Sequence, residues 1–114
     1  SFKVKLKAVD HAVFYGSSPC KALTVGVGSF LYYASDSYVS TRDKYTVVAA
    51  PTSGPWFKFS ETIDLIRRTK SKYAIPTHNR CLNYLGHDST NKLIVDKIDQ
   101  EWIWIKEGES KDFS

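Results

Sequence analysis

The sequence predicts an α/β (α+β) chain: one mixed sheet with helices on one face. Three observations predict it. Phe2, Val4, Leu6 and Ala8 alternate with Lys3, Lys5 and Lys7, the period of two that marks a half-buried strand. Two later segments carry helix signals, an acidic first turn and basic last turn around 60–70 and a polar cap before an apolar pattern around 88–99. The elements then run strands first, followed by strand, helix, strand, helix, strand, an order that layers helices on a sheet. The 114 residues amount to one domain.

Taken in order, residues 2–9 form the first strand and residues 12–15 a second, short one. Residues 16–19 read as a loop. Residues 23–28 fit a strand or a turn, because glycines stand at 26 and 28. Residues 29–34 form a strand that ends in Ser35-Asp36-Ser37. Residues 45–50 are apolar on both faces, as a central strand must be. Residues 51–55, with two prolines, make a stiff loop. Ser60 caps a helix in which Phe59, Ile63 and Ile66 make the apolar stripe and Arg67, Arg68 and Lys70 close the last turn. Residues 72–76 are a strand halted by Pro76. Residues 79–85 form a short helix ended by Gly86, and Asp88 or Ser89 caps the next helix, through about Asp99, with Leu93, Ile94 and Ile98 inward. Residues 102–105 are the last strand, and 111–114 a polar tail. Two long helices are little cover for so many apolar strands, so a packing partner is expected on the second face.

Composition narrows the class. Hydrophobic residues make up 42% and charged residues 25%, as in a folded globular chain and unlike a disordered one. No run approaches the roughly 20 apolar residues of a membrane span, and the start lacks the basic-then-apolar order of a signal peptide. The expectation is a soluble, cytoplasmic protein without a membrane partner. Net charge is +4, but the cations are spread along the chain, which argues for solvated surface and against nucleic acid as a partner. Cys20 and Cys81 stand 61 positions apart with no C-x-x-C, so free thiols are expected and a zinc knuckle is not.

Chemistry is confined to a few positions. His11, Asp36 and His78 each follow a strand, where loops converge and ligands gather in α/β sheets. Two imidazoles and a carboxylate suit zinc, iron or manganese and leave room for water. Their spacings of 25 and 42 positions are no motif, so from spacing alone hydrogen-bonded or surface histidines and a turn aspartate are the favoured reading over a metal site. His87, between Gly86 and Asp88, reads as a solvated linker residue. No nucleophile elbow and no phosphate-binding glycine loop is present.

Four segments carry a resemblance: Val9-Asp10-His11-Ala12-Val13, Ala34-Ser35-Asp36-Ser37, residues 49–56 (AAPTSGPW), and Ala74-Ile75-Pro76-Thr77-His78-Asn79. In order and approximate spacing they resemble the C-terminal half of metallo-β-lactamase-fold hydrolases, from residue 1 to about 110. The stretch from Ala49 to His78 is the most specific part. The resemblance implies half of a four-layer αβ/βα sandwich, residues 1–110, with 111–114 as a polar tail. It implies His11 as a metal-ligand histidine, Asp36 as the carboxylate that bridges two metals, His78 as the last histidine ligand, and Thr52, Ser53 and Trp56 at the mouth of the substrate pocket.

The family's H-x-H-x-D-H string is absent, and Ser35 stands where the family usually has glycine. The implied function is therefore that of the C-terminal part of a metal-dependent hydrolase. In the intact protein, metal-bound hydroxide would attack an ester, lactone, phosphodiester or similar bond of a small-molecule substrate. The divalent metal would be zinc, one or two ions in the intact protein and none or one here, and this chain alone would have little or no activity. The alternative is a non-catalytic module that keeps the half-fold and dimerises. In either case the bare sheet face implies a homo-oligomer.

Overall fold

The computed structural model describes residues 2–13 and 20–113. The described residues contain six strands and two helices: β1 (Val4–Asp10), β2 (Lys21–Val27), β3 (Leu31–Tyr33), β4 (Val47–Pro51), α1 (Phe59–Arg68), β5 (Tyr73–Thr77), α2 (Tyr84–Val95) and β6 (Glu101–Trp102). The strands form one sheet in chain order. β1, β2 and β3 pair antiparallel, and β3 through β6 pair parallel. This is the mixed α+β sheet that the sequence predicts.

Both helices cover one face. Register aligns Lys5, Gly26, Tyr32, Val48, Ala74 and Trp102 across all six strands on that face. Tyr32, Val48 and Ala74 join Ala34, Tyr45, Ala50, Leu65 and Ile66 in the core, with Ile98 and Trp102 packed against it. β4 is buried along its whole length, as its apolar sequence requires.

The opposite face carries the rows Val4–Val27–Leu31–Val47–Tyr73 and Leu6–Val25–Tyr33–Ala49–Ile75. No described helix lies on it. The C-terminal segment folds back over one part, where the Phe113 ring packs edge-on against Phe30 and Tyr73. The β1–β2 part is open: Val4 is 53%, Leu6 61% and Leu23 47% exposed. The strand expected to be half-buried is therefore exposed on both faces over most of its length. Val9 is its one buried residue, and it lies on the lysine side.

Several local expectations are corrected. Ala12 and Val13 lie outside any strand; Phe14, Tyr15 and the loop at 16–19 lie outside the described residues. The 23–28 stretch is a strand. The cap of α1 is Lys58, with no side-chain cap; its backbone N–H donates instead to the Tyr38 hydroxyl, so a distant loop does the work assigned to Ser60. The buried stripe of α1 is Thr62, Leu65 and Ile66. Pro76 does not halt β5, because it lies past the short pairing with β6, where a strand can spare an N–H. The second helix begins earlier than expected: the Asn83 side chain accepts the Gly86 N–H at 2.9 Å, and Gly86 sits inside the first turn. Leu93 is exposed while Ile94 is fully buried. β6 holds only Glu101 and Trp102 in the ladder.

Candidate functional site

β1, β3 and β5 run in the same direction, so their C-terminal ends share one edge of the sheet. His11 follows β1 directly, Asp36 lies three residues beyond β3, and His78 follows β5 directly. These are alternate strands, with Asp36 on the middle one. The loops close the remaining gap. The Ala12 N–H donates to the Asp36 carbonyl at 2.8 Å, and the Thr52 N–H to the Thr77 carbonyl at 3.0 Å.

The three side chains meet. Nε2 of His11 is 3.4 Å from Oδ2 of Asp36, and Nε2 of His78 is 3.5 Å from Oδ1. Both separations exceed an ordinary N–H···O hydrogen bond. They match the roughly 3.4 Å that separates two donor atoms sharing one tetrahedral zinc, from bond lengths near 2.0–2.1 Å. Each ring addresses a different carboxylate oxygen, so the donors form a row and do not surround one point. Accordingly, among the described residues no group of three or more His, Cys, Asp or Glu side chains forms a ready-made metal cage. The row offers parts of a centre, with the carboxylate between two imidazoles.

The His11 ring has a defined orientation. Its Nδ1 lies 2.7 Å from the Ala12 carbonyl. A carbonyl only accepts, so Nδ1 carries the hydrogen. In the neutral ring the lone pair is then on Nε2, facing Asp36, which is how second-shell carbonyls prepare histidine ligands. The His11 side chain is 16% exposed and the other two are each 35% exposed, so the row is rooted in the fold yet open to solvent.

Backbone strain marks the same loops. Ser35 has φ 57° and His78 has φ 56°, both in the left-handed region that L-residues avoid. Ser35 holds a conformation that glycine adopts without a Cβ penalty.

Trp56 is buried beneath the row. Its indole makes edge contacts with His11 at 5.7 Å, His78 at 5.3 Å and Tyr38 at 5.7 Å. Thr52 is buried and its hydroxyl donates to the Thr77 carbonyl, so its side chain ties β4 to β5. Ser53 is half-buried in the turn that follows. No sequence signal marks Tyr38. Its hydroxyl donates to the Trp56 carbonyl at 3.3 Å and accepts the Lys58 N–H at 2.7 Å, which fastens the tryptophan loop to the Asp36 loop. No sequence pattern announces a contact between positions 20 apart.

His87 is not a linker residue. It lies in α2 and its ring stacks on Trp104 at 4.5 Å and 13°. Cys20 and Cys81 are free and exposed. No described helix is long and apolar enough to cross a membrane. The chain matches no known protein-family model and no curated protein.

Proposed function

We propose that this chain is the C-terminal part of a metal-dependent hydrolase of the metallo-β-lactamase kind, with His11, Asp36 and His78 supplying part of a divalent-metal centre. The observation that carries the reading is the Asp36 carboxylate between two imidazole nitrogens delivered by different strands. A row with one ring on each oxygen suits a carboxylate that bridges two ions, zinc above all given nitrogen and oxygen donors. A divalent cation supplies Lewis acidity and a water whose pKa falls toward 7, the chemistry that cleaves esters, lactones and phosphodiesters.

The residues have separable roles. His11 is oriented by the Ala12 carbonyl and offers Nε2. Asp36 contributes the negative charge between two rings. Trp56 packs against both imidazoles and shields their inner side from water. Three donors are too few for two ions, so the remaining ligands come from another part of the protein or another subunit, and the chain alone is expected to turn over little or no substrate.

The uncovered β1–β2 face supports a second reading, a dimerising module in which that face meets a second copy. Zinc titration by calorimetry separates the two. The hydrolase reading expects saturable binding that falls at least about tenfold in His11→Ala and in His78→Ala. Equal affinity in the parent and the double variant would remove it and leave the dimerising module.

A further inference from the structure

Beyond the metal row lies a second constellation. Immediately after His78 the chain runs into Asn79 and Arg80, which line a cavity of about 750 Å³ between the start of α2 and the segment after β6. The volume falls in the range of small-molecule sites. Its walls are aromatic: Trp104 stacks with His87, and Tyr84 lies 6.4 Å from the same indole. Its rim is charged. Arg80 and Lys106 contribute two cations, and the Lys106 ammonium lies 5.7 Å from the centre of the Trp104 ring. Glu107 is the one acid there. It meets Arg80 only at 4.0 Å, with both side chains 95% exposed, so the pair is weak and readily exchanged for a stronger anion.

Aromatic planes recognise planar rings, and arginine with lysine recognises phosphate. The two features in one cavity define a ligand with both parts. We infer that this cavity binds a nucleotide-like molecule, a planar heterocycle carrying a phosphate, with the ring against the Tyr84–His87–Trp104 wall and the phosphate on Arg80 and Lys106. Lys106 leaves the face of Trp104 at small cost, because an exposed cation–π contact is weak. Binding in this cavity is independent of whether the His11–Asp36–His78 row holds an ion. Only its position next to His78 links the two, by offering a place for the substrate's non-reacting part.

The test is titration of the metal-free chain with adenosine monophosphate, adenosine and inorganic phosphate, followed through the three tryptophan indole N–H resonances. Trp104→Phe assigns the Trp104 signal. The nucleotide is expected to move the Trp104 signal before those of Trp56 and Trp102 and to bind at least about tenfold tighter than adenosine or phosphate alone. Arg80→Gln combined with Lys106→Gln, both at exposed positions, is expected to weaken the nucleotide about tenfold and leave adenosine unchanged. Equal nucleotide binding in that double variant, or no saturable shift of Trp104, would overturn the assignment. His78→Ala separates the two proposals: it lowers zinc affinity and leaves nucleotide affinity as it was.

Discussion

The Ala12 amide donates to the Asp36 carbonyl at 2.8 Å, and this one backbone bond joins the loop after β1 to the loop after β3. It sets His11 beside the carboxylate across an intervening strand. Asp36 is the residue whose carboxylate both imidazoles face. Asp36→Asn keeps the shape and removes the charge. Zinc affinity is expected to fall by about 100-fold or more, further than for either histidine variant. Calorimetry reads it, and a loss smaller than that of His11→Ala would show that the carboxylate is not central.

Trp56 supports both imidazoles from the buried side. Trp56→Ala opens a large cavity and is expected to cost about 3–5 kcal/mol. Trp56→Phe keeps part of the packing and should cost less. In that milder variant, zinc binding weakens while the fold persists, which urea denaturation and zinc titration together would establish. Unchanged zinc affinity in Trp56→Phe would mean that the edge contacts do not orient the rings.

A Cβ on Gly26 would come 2.3 Å from the Tyr45 hydroxyl, and Tyr45 is buried against Tyr32. Gly26→Ala is therefore expected to destabilise by about 1–3 kcal/mol through overpacking. Removing the hydroxyl relieves the closest contact, so Tyr45→Phe should recover part of the loss. A double-mutant cycle on urea midpoints measures the coupling. Additive costs would rule out the clash.

The apolar face of the β1–β2 hairpin makes a solution-state prediction. At micromolar concentration and above the chain is expected to self-associate, because exposed apolar surface gains about 25 cal/mol per Å² on burial. Leu6→Lys with Leu23→Lys should give a monomer by light scattering, with stability changed by less than about 0.5 kcal/mol per site. A monomeric parent protein would contradict this expectation.

Two tyrosines set an alkaline limit. Burial raises the phenols of Tyr32 and Tyr38 above their usual value of 10.0. The folded state then holds these protons more tightly than the unfolded one. Their contribution is complete below pH 10 and is lost as pH rises through the folded values. The urea midpoint is expected to drop as pH rises above 10, less steeply in Tyr38→Phe. A slope unchanged from the parent's in both Tyr32→Phe and Tyr38→Phe would assign the alkaline loss to other groups.

Periodicity made the strands legible. The apolar run at 45–50 appears as the buried β4, and the basic close of α1 appears at Arg67 and Arg68. Helix starts are less legible. The Lys58 N–H donates to the hydroxyl of Tyr38, and the Asn83 side chain caps α2 by accepting the N–H of Gly86, a residue that looks like a stop signal. Of the candidate site, His11, Asp36 and His78 were visible as polar residues after strands, whereas Tyr38 and the His87–Trp104 stack were not.

By itself the sequence determined the approximate places of most strands and of the two long helices, and which polar residues follow the strands, because those properties depend on neighbours within a few positions. Only the tertiary structure decided that three strand ends share one edge, that His11 and His78 reach opposite oxygens of Asp36, and that both helices leave the Leu6 face bare. Those outcomes depend on strand direction, pairing order and bonds between loops far apart in the chain, which no local spacing encodes.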